Sequence, residues 1–361
     1  MNAPISSFRY ESLPGQVIFG AGSSRTQLAP AVAQLGLRRL LLLASEREAA
    51  RAEGILQPLG ETIAGSFSDV VAHIPQQVAD AARLRARETG ADGLLAIGGG
   101  AAIGVAKAVA LDLALPIVAV PTTYAGSEMT PIYGITSDGR KQTGRSAQVL
   151  PKLVIYDPEL LRALSPGVAA PSAMNALAHS IEALYAPGRN PVTATLALES
   201  IGRLARGIVR VIETPDDADG QAEALYGAYL AGAALAVAGT GIHHKICHAL
   251  GGAYNLPHAA LHAALLPHTV AFNAVALPKT MAQIAAALGA PGGDAGGALH
   301  ALALRIGAPT SLAVVGLRAE DLDEAAALAL AAVPPDNPRR ATLANIRALL
   351  ERAALKGNVF A

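Results

Sequence analysis

A single cysteine, Cys247, stands among 361 residues, which excludes an intrachain disulfide and a zinc site built on cysteines. Charge is scarce too: Asp, Glu, Lys and Arg make up 16% of the chain, and 28 basic side chains balance 28 acidic ones. A neutral chain has no overall pull towards nucleic acid or an anionic membrane, so any anion it binds is caught by a local cluster. No apolar stretch reaches membrane-spanning length before Gly, Pro or charge interrupts it. The opening MNAPISSFRY lacks the basic-then-apolar layout of a secretory leader, so the cytoplasm is the expected location. No internal repeat is visible. No GxGxxG stands after the first expected strand, which argues against a conventional Rossmann dehydrogenase as the template.

Apolar residues are abundant, at 52%, enough for two packed cores at this length. The first half alternates short apolar runs with amphipathic segments. Strands are expected at Gln16–Phe19, Arg39–Ala44, Gly93–Ile97 and Pro116–Val120, with a last one in Leu150–Pro158. Helices are expected near Thr26–Leu35 (capped by Ser23 or Ser24 and ended by Gly36), Pro75–Thr89 and Ala102–Leu113. Alternation at this spacing predicts a parallel sheet covered by helices on both sides. Beyond Glu159 the chain turns Ala- and Leu-rich, and Pro166, Pro171, Pro187, Pro191, Pro257 and Pro267 recur at intervals expected of helix starts. The expectation is an α/β nucleotide-binding domain over 1–158 and an all-α domain over 159–361.

Two places carry chemistry. Gly98, Gly99 and Gly100 follow one strand and open a helix, where free backbone N–H groups and the helix dipole favour a phosphate. A tight structural turn would use the same glycines. The next strand ends in Pro121-Thr122-Thr123-Tyr124-Ala125-Gly126-Ser127, on the ligand side of a parallel sheet. Thr122, Thr123 and Ser127 offer hydroxyls to a cofactor, or merely cap the loop.

The second place is a concentration of imidazoles. Six of the nine histidines lie between 243 and 268: His243, His244, His248, His258, His262 and His268. His179 sits in an evident helix, and the pairs Asn175/His179 and His244/His248 each share a helical face. Imidazoles at such spacing suggest a divalent metal, yet no carboxylate is expected beside them, and Lys245 adds positive charge. A cationic pocket suits a substrate bearing two carboxylates instead.

With these residues in view, the chain resembles the iron-containing (group III) alcohol dehydrogenase and dehydroquinate synthase-like superfamily over nearly its whole length. The marks are FGAG at 19–22, GGG at 98–100, PTT at 121–123, SE at 127–128, AHSIEALY at 178–185, and His244, His248, Leu250, Gly251, Gly252, Pro257 and His258 in order. In metal-dependent members the ligand positions correspond to Asn175, His179, His244 and His258, with Asp where this chain has Asn175. That replacement, a shortened PTT loop and Gly104 in place of Asp match the maleylacetate reductase branch. So do PTTYAGSEMTPIYG at 121–134, KQTGR at 141–145, VLPKLVIYDP at 149–158, MNALAHSIEALYA at 174–186 and GIHHKICHALGG at 241–252.

The resemblance implies a dehydroquinate synthase-like fold and reduction of maleylacetate, a small dianionic oxo-dicarboxylate, to 3-oxoadipate in the breakdown of resorcinol- and hydroxyquinol-type aromatics. It implies NADH and/or NADPH as cofactor, no metal, and a homodimer. His244, His248 and Lys245 become the expected electrophile, acid and anion-binding groups, the proton-donating histidine staying open. Asn175, His179, His243 and His258 are expected to shape the substrate pocket. Ser45 stands where NAD-specific relatives have Asp, which removes a repulsion of the 2′-phosphate and leaves both cofactors usable. Two rival readings are a metal-dependent alcohol dehydrogenase that tolerates Asn175 and a nucleotide-binding protein without turnover.

Overall fold

Four consecutive leucines, Leu40–Leu43, form a strand whose side chains are all buried. Leu40 and Leu42 pack with Leu28, Val32, Leu95 and Val118, while Leu41 and Leu43 pack among Leu94, Ile103 and Val109. A strand apolar at every position is what two covered faces require. The structure is a computed structural model that describes residues 8–360 except 9, 12, 14, 72, 138, 139 and 356–359. Most of the N-terminal segment discussed above lies outside the described residues.

Contacts divide the chain at Leu164/Ser165, with a first unit Leu13–Leu164 and a second from Ser165 onward. This is six residues beyond the texture change at 158. The short 3-10 helix Pro158–Ala163 stays with the first unit because Leu161 is buried and Glu159 pairs with Arg25.

The strands of the first unit are β1 (Gln16–Phe19), β2 (Leu40–Leu43), β3 (Ile63–Phe67), β4 (Gly93–Gly98), β5 (Ile117–Pro121), β6 (Ile132–Ser137), β7 (Arg140–Arg145) and β8 (Leu153–Tyr156). Six of them form a parallel sheet in the order β1-β8-β5-β4-β2-β3. β6 and β7 pair separately as an antiparallel hairpin. The hairpin and β3 are not anticipated from the sequence. β3 reads IAGSF, an edge strand with little apolar character, and the hairpin carries Gly134, Gly144 and a polar second strand.

The helix Ser23–Gln34 corrects the expected cap. Gly22 is its N-cap, and the carboxylate that satisfies its first turn belongs to Asp157 at the end of β8. Asp157 accepts the N–H of Gly22 (3.0 Å) and of Ser24 (3.1 Å) and the Ser24 hydroxyl. A full carboxylate from a neighbouring strand outcompetes a serine hydroxyl for the helix N-terminus.

The second unit is helical. Pro166 and Pro191 open Pro166–Ala183 and Pro191–Glu213, and Pro257 caps His258–Ala274. Pro171 and Pro267 lie inside helices instead, and Pro187 lies in a turn. Each interior proline removes one backbone hydrogen bond, a loss set against near-complete burial of the side chains around it. Among the described residues no single helix is long and apolar enough to cross a membrane.

Candidate active site

In the first unit the chain runs from β2 outward to β3 in one direction and from β4 outward to β5 in the other. The carboxyl ends of β2 and β4 therefore flank a topological switch point, the crevice where open α/β sheets bind ligands. Ser45 follows β2, Gly98–Gly100 closes β4, and Thr122 and Thr123 follow β5. The Thr122 N–H donates to the Gly98 carbonyl (3.1 Å), tying the two loops together. A Cβ on Gly99 would lie 2.9 Å from Thr123 Cγ2, so this approach needs a glycine. No side chain caps the helix Gly100–Leu113, which leaves its first N–H groups for an anion. Ser45 is half-buried and accepts the Glu48 N–H (3.3 Å) as N-cap of a short helix. These residues fit a dinucleotide.

Ser127 is held by a residue the sequence reading passes over. Lys107, fully buried, donates to the carbonyls of Ser127 (2.6 Å), Thr130 (2.7 Å) and Ile132 (2.8 Å) and to the Thr130 hydroxyl (3.0 Å). The available signal was a lone lysine in the otherwise apolar helix AAIGVAKAVAL.

In the second unit three helices bring the imidazoles together: Pro166–Ala183 carries Asn175 and His179, Ile242–Tyr254 carries His243, His244 and His248, and His258–Ala274 carries His258 and His262. His179 lies over His244 with ring centroids 4.8 Å apart and planes 19° apart. His248 lies over His258 at 6.0 Å and 19°. His262 meets His243, His244 and His258 edge-on at 4.8, 4.6 and 4.4 Å.

At the centre is a carboxylate that the sequence reading placed nowhere near. Glu182 is completely buried and accepts the N–H groups of Gly241 (2.8 Å) and His243 (2.6 Å), while His244 Nδ1 lies 2.6 Å from its Oε2. It thus caps the helix Ile242–Tyr254 and anchors an imidazole at once. A Cβ on Gly241 would come within 2.9 Å of Glu182 Oε1, so a glycine admits the carboxylate. Glu182 follows His179 by three residues and shares its helical face, the one local hint of its place.

The expected site residues divide. Asn175 and His179 are buried, and among the described residues Asn175 Oδ1, His179 Nδ1 and the buried His244 Nε2 have no hydrogen-bond partner. His258 is half-buried and His248 exposed. His243 does not line a pocket: its Nδ1 bonds the Thr269 hydroxyl (3.1 Å) and its Nε2 bonds His262 Nδ1 (2.9 Å), so both nitrogens are spent inside the protein. Lys245 is exposed on the flank of its helix, and its side chain bonds nothing among the described residues. His268 leaves the cluster and packs on Phe360 near His300. Burial first, and the neighbouring imidazoles second, pull His179, His243 and His262 well below the ordinary imidazole range. Lys245 is not among the causes.

At the positions that correspond to the ligand set of the metal-dependent relatives, His179 and His244 stack with ring planes 19° apart, whereas ligand imidazoles aim in-plane lone pairs at one point. Asn175 is neutral, and Glu182 is engaged by the helix N-terminus and His244. Among the described residues His243, Cys247 and His262 do approach ligand spacing. Their nitrogens already bond each other, however, and burial pushes the Cys247 thiol well up, against the thiolate a metal needs.

Residues 14–158 match the family described as iron-containing alcohol dehydrogenase, and residues 169–354 match the Fe-containing alcohol dehydrogenase family, C-terminal part. The chain is 48% identical over 361 residues to Maleylacetate reductase 2 of Cupriavidus pinatubonensis, covering 99% of each chain. It is 46% identical over 346 residues to Maleylacetate reductase of Sphingobium indicum, covering 96% of this chain and 97% of that one. The crystal structure of Maleylacetate reductase from Agrobacterium tumefaciens matches with a TM-score of 0.92 at 42% identity, covering 97% of this chain and 99% of that one.

Proposed function

The chain belongs to the iron-containing alcohol dehydrogenase family, and from that footing we propose that it reduces the carbon–carbon double bond of maleylacetate to give 3-oxoadipate, using NADH or NADPH and no metal. The observation that carries this reading is the imidazole cluster anchored on Glu182, with neutral Asn175 where the metal-dependent members have Asp. The small dianionic oxo-dicarboxylate substrate, a cytoplasmic location and a homodimer belong to the same reading.

Ser45, Gly98, Gly99, Gly100, Thr122 and Thr123 would hold a reduced nicotinamide dinucleotide, whose chemistry would be to supply hydride for the alkene carbon next to the carboxylate. Negative charge then builds on the ketone oxygen, and the other alkene carbon takes a proton. Conjugation already makes the alkene electrophilic, so a hydrogen-bond donor suffices where alcohol oxidation uses a Lewis acid. His244 is that donor through Nε2, and a donor aimed at a developing oxyanion contributes about 2–4 kcal/mol. Exposed His248 links the cluster to water for proton exchange. Lys245 attracts a substrate carboxylate from the exposed flank, a weaker role than a buried ion pair would have.

The test is NADH and NADPH oxidation with maleylacetate set against simple aldehydes, and the reverse reaction with simple alcohols. Protein purified without added metal should reduce maleylacetate, contain no stoichiometric metal, and keep its rate after chelation. Activity lost on chelation and restored by iron or zinc would establish the metal-dependent alternative instead.

A further inference from the structure

We propose that Glu182 is a positioning residue that fixes the proton of His244 on Nδ1 and so makes Nε2 the working nitrogen. This rests on the reductase reading above and adds the residue that prepares its donor. Glu182 accepts two backbone N–H bonds at the start of a helix, and a third backbone N–H, that of His244, lies 3.4 Å away. A carboxylate that accepts these N–H groups is an acceptor only, so His244 Nδ1 at 2.6 Å presents hydrogen to it as well. The tautomer follows from the geometry: Nδ1 is the protonated atom, and Nε2, buried and without a partner among the described residues, is left to take a second proton and present it to the substrate.

His243, its neighbour in the cluster, has both nitrogens engaged by neutral groups, whereas His244 is paired with a carboxylate. A proton reaching Nε2 makes the ring positive, and the Glu182 charge on the opposite nitrogen offsets it. In the reaction the Nε2–H hydrogen-bonds the ketone oxygen while the hydride adds to the alkene. The alkene takes the hydride that a bound reduced nicotinamide would supply, and the enolate electron pair takes at carbon a proton delivered from water by way of exposed His248. The Nδ1–H–Glu182 bond is unchanged throughout.

The experiment is a double-mutant cycle on the full chain with Glu182→Gln, His244→Ala and both together. Gln has one acceptor oxygen for the helix N–H groups and no charge to offset a second proton on the ring, so the doubly protonated His244, held by Glu182 at Nδ1 and donating from Nε2, is no longer supported. Glu182→Gln alone should lower kcat by about 10²-fold or more while KM for maleylacetate moves less than about threefold. In the His244→Ala background the same change should cost less than about twofold. Equal losses in both backgrounds would mean Glu182 is only a helix cap, and the inference falls. Imidazole NMR gives a reading free of turnover: a hydrogen-bonded Nδ1 proton present in the native protein and absent from His244→Ala supports the assignment. Its absence from the native protein overturns it, even where Glu182→Gln does not fold. A native protein with the Nδ1 proton but no activity on maleylacetate would overturn the reductase reading and leave Glu182 in place.

Discussion

The two ends of this chemistry are built differently. The nucleotide end of the first unit is made of backbone: three glycines, an uncapped helix start and two loops joined by an N–H···O=C bond. The imidazole cluster of the second unit is made of side chains from three helices, gathered on one buried carboxylate. A backbone site is contiguous in sequence and shows as a motif. A side-chain site shows only its conspicuous members, and the residue that organises it can lie some sixty positions away.

The comparison should break first on acidification. Eight of the nine histidines lie beyond residue 164, and only His73 belongs to the first unit. Burial holds His179, His243 and His262 well below 6.5 and His268 at about 4. Between those folded values and the unfolded value near 6.5, the unfolded chain binds protons that the folded chain does not. Stability is therefore full above about 6.5 and falls as pH falls, with His268 alone contributing up to about 3 kcal/mol by pH 4. Hydrogen exchange at pH 5.5 should show protection lost in the second unit before the first, and His268→Asn should flatten part of the trend. Uniform loss across both units would contradict the asymmetry.

Gly99→Val tests the backbone side. The new side chain must displace Thr123, a strain of about 1–3 kcal/mol, so NADH affinity should fall roughly ten- to hundredfold with the fold retained. Titration of NADH fluorescence checks it, and unchanged affinity would reduce the glycines to a turn. Lys245→Met addresses the exposed flank of the other site. Loss of a solvent-screened contact worth about 1 kcal/mol should raise KM for maleylacetate roughly fivefold and leave kcat near normal. A fall in kcat instead would bring Lys245 into the chemistry. The smallest effect is expected from Ser45→Asp. Asp is an equally good helix cap, so the fold stays, while repulsion of the 2′-phosphate by about 1 kcal/mol should lower NADPH use several-fold more than NADH use. Equal effects on both cofactors would remove Ser45 from the ribose end.

The same contrast governs what could be read from the sequence. β2, β4, β5 and β8 are apolar at nearly every position and announce themselves, whereas β3 is paired at the sheet edge through small residues that look like a loop. Gly98–Gly100 and the threonine pair were legible because their neighbours in space are also neighbours in the pattern of strand, turn and helix. Glu182 was not, because one acidic residue in a helix ordinarily faces water and its bonding partners begin at Gly241. Asp157 was hidden for the same reason: it reads as the end of a strand but serves the first turn of a helix more than 130 residues earlier. His243 was misjudged in the opposite sense, since its conspicuous position beside His244 conceals that its ring faces Thr269 and His262.

Lys107 works in the first unit as a hydrogen-bond donor on a covalent leash, in the place a free monovalent cation would otherwise fill. Four oxygens surround its Nζ at 2.6 to 3.0 Å, and three of them are carbonyls of the segment from Ser127 to Ile132. Loops folded around free potassium or sodium lose their shape when the ion is diluted away. This one carries its own donor, whose pKa burial lowers to about 7 against the opposing charge of Glu128, so its hold answers to pH rather than to salt. The shape of the segment from Ser127 to Ile132 is thereby tied to the proton on Lys107 rather than to the ionic composition of its surroundings.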